Sequence, residues 1–154
     1  MMFNPKWTGR FLDLAEFIAG WSRDPSTKVG AVIVRPDKTI ASVGYNGFPR
    51  GVDDTHQRYA DRETKYGLVV HAEANAIVAA SESLEGCTIF TWPFPPCSDC
   101  AGLIVQSGID LVVAPEPNDE QVVRWGKSFE LADTIFREGD VKLALIPGTP
   151  RLKP

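Results

Sequence analysis

"CTIFTWPFPPCSDCAGLIVQSGIDLVVAP", residues 87–115, is the stretch whose reading decides the fold. "CTIFTW" is rich in β-branched and aromatic side chains and reads as a strand. "PFPP" is a rigid stop, because proline lacks the N–H that a strand or helix interior needs. "CSDCAGLIVQSG" reads as a helix ending at Gly108, glycine being favoured just past a helix end. "IDLVVAP" is a second strand. A strand, a helix and a strand in that order imply two parallel strands joined by a right-handed crossover.

Upstream, "VGAVIV" and "TIASVGY" are β-rich runs separated by "RPDK", so Val29–Val34 and Thr39–Tyr45 read as a hairpin. Before them, Trp7, Phe11, Leu14, Ile18 and Trp21 recur every three or four residues and mark one apolar helical stripe, read as core packing or a subunit contact. "SRDPSTK" breaks that helix. Residues 46–70 form a long connection, unusual in a compact domain unless functional, with a short helix expected over Asp54–Thr64. A further helix is expected from His71 to about Ser83. Downstream, Asn118 or Asp119 caps a helix running to about Glu138, "VKLALI" is a last strand, and the final residues read as frayed. The order α, β, β, α, β, α, β, α, β predicts an α/β fold: a mixed five-stranded sheet with helices on both faces.

The 154 residues suit one domain, 1–154. A net charge of -4 argues against a nucleic-acid-binding surface. No apolar run is long enough to span a membrane, and the start lacks a secretory signal layout. Three cysteines are too few for a disulfide framework and point to the cytoplasm, where they serve as thiols or metal ligands.

The cysteines and histidines are not evenly scattered. Cys97 and Cys100 form C-x-x-C at one helix start, and His71 stands at another with Glu73 two residues on. A helix N-terminus lowers a thiol's pKa and a metal lowers it further. Two thiolates and a neutral imidazole make three zinc ligands, leaving a fourth tetrahedral position for water. Glu73 then lies where it can take and return a proton. A second reading keeps the pair as a structural Cys3His zinc site that includes Cys87, although Cys87 opens a strand and reads as a small buried residue. His71 could be a plain helix-capping histidine and His56 a surface one. Asn46, followed by glycine, could be a turn residue.

"HAEANAI" (71–77) and "PPCSDC" (95–100), with 23 residues between Glu73 and Cys97, resemble the cytidine and deoxycytidylate deaminase superfamily. "SRDPSTKVGAVIV", "GYNGFPRG" and "CAGLIVQSGIDLVV" are similar to deoxycytidylate (dCMP) deaminases in one register, from about Leu12 to Val113. The resemblance implies a three-layer fold and a zinc-dependent hydrolysis of dCMP to dUMP and ammonia, supplying dTMP synthesis. It maps zinc onto His71, Cys97 and Cys100, the proton shuttle onto Glu73, and sugar binding onto Asn46. Backbone groups near Ala72 and Cys97 are implied to orient the amine and the attacking water, and Phe94 or Trp92 to stack on the base. For the phosphate, Arg23 and Arg50 are candidates, with Ser22 and Lys28 behind them. Many small relatives carry extra cysteines or a histidine for a second, structural zinc. This chain has Thr27 and Lys28 there, so one Zn2+ per chain is expected. The resemblance also implies a homo-oligomer, a hexamer favoured, with dCTP and dTTP as effectors and Mg2+ accompanying the effector. The alternatives are deamination of cytidine, guanine, a modified cytosine nucleotide or a tRNA adenosine, and a zinc-stabilised interaction module with no activity.

Overall fold

The computed structural model describes residues 3–148; the expected frayed C-terminus falls outside them. Helix α1 (Pro5–Ala19) leads into strands β1 (Gly30–Val34) and β2 (Ile40–Tyr45). Short helices α2 (His56–Ala60) and α3 (Arg62–Leu68) precede α4 (Ala72–Ala79). Then come β3 (Thr88–Trp92), α5 (Ser98–Ser107), β4 (Leu111–Pro115), α6 (Asp119–Glu138) and β5 (Lys142–Ile146). The sheet order is β2-β1-β3-β4-β5. β1 is antiparallel to both β2 and β3, whereas β3, β4 and β5 run parallel, so the sheet is mixed as expected.

The alternation of side chains along the strands divides the core in two. Val32, Val34, Phe90, Leu111 and Val113 face α1, where they meet Phe11, Leu12 and Ala15. Ala31, Ile33, Ile89 and Val112 face the other way, onto Ala72 and Ala76 of α4, Ala101 and Ile104 of α5, and Ala132 and Phe136 of α6. The result is three layers: one helix, the sheet, three helices. β1 is buried along its whole length because both of its faces and both of its edges are covered.

Three local expectations are corrected. α4 stops at Ala79, not Ser83, because Ala80 is extended (φ -67°, ψ 135°). The helix over Asp54–Thr64 is instead two helices. Asp61, extended at ψ 105°, ends the first and begins the second, so the chain turns between them. Trp21 lies past the end of α1, exposed against Phe17 and Tyr45, and is not part of the buried stripe.

The register sets where the site forms. Gly30, the first residue of β1, pairs with Tyr45 at the end of β2 and with Trp92 at the end of β3. The segments before β1, after β2 and after β3 therefore leave the sheet at one edge. That edge is the carboxyl end of β3, where α/β sheets place ligands.

Candidate active site

His71 is the N-cap of α4 and Cys97 the N-cap of α5, both extended at ψ 155° and 171°. Neither helix could present its cap here without close packing. A Cβ on Gly44 of β2 would stand 2.4 Å from the Ala72 carbonyl oxygen and 2.5 Å from the Ala76 nitrogen. The missing side chain is what lets α4 lie against the strand. Ser42 donates to the Ala76 carbonyl at 2.7 Å and Asn75 to the Tyr45 carbonyl at 2.8 Å, which fixes the helix along β2. α5 enters through the proline run after β3, where Thr91 Oγ1 donates to the Phe94 carbonyl at 2.9 Å.

The ligand atoms of His71, Cys97 and Cys100 lie within 4.8 Å of one another, the one such group of three among the described residues. His71 Nδ1 is 3.4 Å from both the Cys97 and Cys100 Sγ atoms. With Zn–N near 2.0 Å and Zn–S near 2.3 Å, a tetrahedral N–Zn–S edge is about 3.5 Å, so this triangle fits zinc. Cys87 is buried in the core and His56 belongs to α2; neither joins the group.

Without a cation the three groups share protons. Cys97 is lowered to about 4, chiefly by the Cys100 S–H and then by the imidazole. Cys100 is pushed up because its proton serves the Cys97 thiolate. His71 is raised to about 9 by its bond with Cys97. A metal ion would displace these protons. Glu73 is 3% exposed, and burial pushes its carboxyl up.

A cavity of about 160 Å3 opens beside this triangle. His71, Ala72, Glu73, Cys97, Asn46 and Phe94, all expected site residues, share its wall. Cys100 is buried outside the cavity wall and reaches the site through its contact with the His71 ring nitrogen. Arg23 and Ser22 do not line it. Arg23 is exposed and pairs with Asp54 at 3.5 Å. Ser22 is buried, donates to the Asn46 carbonyl at 2.8 Å and accepts from the Asp24 N–H, and so holds the loop before β1. Asn46 accepts from the Val29 N–H at 2.8 Å and donates to the Thr27 carbonyl at 2.9 Å. Trp92, Lys28 and Thr27 line a wider outer cleft, about 580 Å3, next to the cavity.

The family model described as "Cytidine and deoxycytidylate deaminase zinc-binding region" matches residues 5–115. The chain belongs to the cytidine and deoxycytidylate deaminase family. The "Uncharacterized deaminase in luxG 3′region" of Aliivibrio fischeri is 43% identical over 92% of this chain and 95% of its own length. The deoxycytidylate deaminase of Mus musculus is 37% identical over 92% of this chain and 84% of its own. The crystal structure of dCMP deaminase from the cyanophage S-TIM5 in apo form superposes with a TM-score of 0.72 at 25% identity. That match covers 94% of this chain and all of the phage chain.

Sequence reasoning missed part of this deaminase's cavity wall. Arg124, Trp125 and Phe129 come from α6, and Lys65 and Tyr66 from α3. Phe94 packs on Trp125 with ring centres 4.8 Å apart. Asp24, 2% exposed, also lines the cavity and accepts from Lys65, Ser26 and Thr27. Only Asp24 carried a local signal: an Asp bonded to the N–H two residues on is a turn former, as "DPST" suggests. No described helix is long and apolar enough to cross a membrane.

Proposed function

We propose that the chain hydrolyses dCMP to dUMP and ammonia with one zinc ion held by His71, Cys97 and Cys100. The observation that carries the reading is the His–Cys–Cys triangle at zinc dimensions with buried Glu73 on the same cavity wall. Similarity to deoxycytidylate deaminases along most of the chain supports dCMP over other amines. When bound, zinc supplies Lewis-acid activation of the attacking water. Glu73 takes that water's proton and delivers it to ring N3 as the C4–O bond forms. It then takes the remaining proton from the new C4 hydroxyl and gives it to the exocyclic nitrogen as the C4–N bond breaks and the C4=O bond forms, so water and dCMP become dUMP and ammonia. Its burial suits it to this, because a carboxyl pushed up toward neutrality accepts and releases protons readily. Phe94, backed by Trp125, stacks on the base, and Asn46 keeps an acceptor lone pair for the sugar hydroxyl. The Ala72 backbone at the cavity wall orients the amine.

The reading extends to a cytoplasmic homo-oligomer, a hexamer, raised by dCTP and lowered by dTTP with Mg2+ carried by the effector. The exposed aromatic cluster of Phe17, Trp21 and Tyr45 beside the open edge of β2 supports self-association. None of the three cysteines forms a disulfide, in keeping with a reducing compartment. The test is a panel of zinc-loaded protein with dCMP, deoxycytidine, cytidine and guanine, with and without dCTP and dTTP, read by ammonia release. Turnover of dCMP above the others supports the reading; turnover confined to guanine or to a nucleoside overturns it.

A further inference from the structure

We propose that Arg124 of α6 holds the substrate's 5′-phosphate and so selects nucleotides over nucleosides. This rests on the dCMP reading above and names the residue that reading leaves open. The two cavities at the sheet edge share four wall residues, Thr27, Phe94, Arg124 and Trp125, which form the seam between them. A base beside Glu73 and a sugar beside Asn46 direct the 5′ substituent to that seam, since the Asn46 amide is bonded to the Thr27 carbonyl.

At the seam Arg124 is the cation available to an anion. Lys65, the other basic side chain of the inner cavity besides His71, is 12% exposed and bound to both Asp24 oxygens and to Ser26. Its charge is matched. Arg124 makes no ion pair among the described residues. Its guanidinium lies over the Trp125 ring at 4.6 Å, a stacking that holds the planar fork at the cavity wall. That fork matches two phosphate oxygens at once. Tyr66 stands beside it. Burial pushes the phenol up, yet the Arg62 and Arg124 guanidiniums outweigh that and leave it below its ordinary value. The Tyr66 hydroxyl is thus a second group at the same point. Lys28 lines only the outer cleft, and its ammonium donates to the Ser22 carbonyl.

The experiment compares kcat/KM for dCMP and deoxycytidine in the zinc-loaded full chain, wild type against Arg124→Leu and Arg124→Lys. Loss of a charge-assisted fork costs about tenfold to a hundredfold in binding. The expected result is a fall of at least tenfold in the dCMP-to-deoxycytidine ratio for Arg124→Leu, expressed in KM, with partial recovery in Arg124→Lys. Where deoxycytidine turnover is too slow to read, calorimetric affinities for dUMP and deoxyuridine give the same ratio. A proportional loss on both ligands, the mark of a residue that only supports Trp125, overturns the assignment; so does an unchanged ratio. Wild-type protein that fails to deaminate dCMP sinks the underlying reading itself. Active wild type with an unaltered ratio in the variant sinks Arg124 alone.

Discussion

Glu73 shows how much a single side chain's role depends on its surroundings. In the chain it is the third residue of "HAEANAI"; in the fold it is buried at the wall of the inner cavity beside His71 and Cys97. Glu73→Gln keeps the shape and removes the proton carrier. Turnover should fall by about 10²- to 10⁴-fold, with zinc content unchanged by atomic absorption; His71→Ala should lose the metal as well. Asp24 and Lys65 make the opposite case, since their worth is structural. The pair is nearly enclosed, at 2% and 12% exposure. Burial raises the Asp24 carboxyl, but the Lys65 ammonium and the Ser26 and Thr27 N–H groups outweigh it and hold it below its ordinary value. A carboxyl lowered in the folded state stabilises above its unfolded pKa, about 3.9, and that stability is lost as pH falls through the lower folded value. Lys65→Met should therefore cost about 3 kcal/mol at neutral pH. In urea titrations the cost should shrink as the pH is taken below about 4; a cost independent of pH would show that the pair contributes nothing through charge.

At the scale of elements, the site is a matter of two helix starts brought to one sheet edge. α4 has eight residues and is held by contact with β2 more than by its own helical bonds. Gly44→Ala places a methyl carbon against the Ala72 and Ala76 backbones, so α4 must move away from the strand. The variant should lose about 1–3 kcal/mol of stability by denaturant titration and bind zinc more weakly, because His71 moves with the helix. If Gly44→Ala retained both wild-type stability and zinc affinity, the close approach would not be what positions the cap. Periodicity made α1 readable, β-rich composition marked the strands, and Gly108 and the Asn118 cap marked α5 and α6, since each of these signals lies within a few residues. The stretch from residue 46 to 70 offered no such repeat. Its two short helices are set by turns at Thr55 and Asp61 and by the Gly47–Val70 bridge, which joins the two ends of the segment.

For the whole molecule, the proposed zinc site would couple folding to function. His71, Cys97 and Cys100 stand at the starts of α4 and α5, and their ligand atoms come together only in the folded chain. Binding to the folded state alone raises stability by mass action. Removing the metal with a chelator should abolish turnover and lower the melting temperature by several degrees, both restored by added Zn2+. A melting temperature insensitive to chelation would mean that the triangle holds no metal. The sequence by itself determined the α/β order and the mixed sheet, and it marked His71, Glu73, Cys97 and Cys100 as the candidate site residues. Those depend on spacing within a few residues: His71 two from Glu73, Cys97 three from Cys100, apolar side chains every two or three to four. Tertiary structure alone decided the rest of the cavity. Arg124 and Trp125 reach it from α6, and Lys65 joins Asp24 across 41 positions, while Arg23 turns outward to Asp54. Contacts between distant segments leave no periodic trace in the chain, because they arise only when the sheet register brings those segments to one edge.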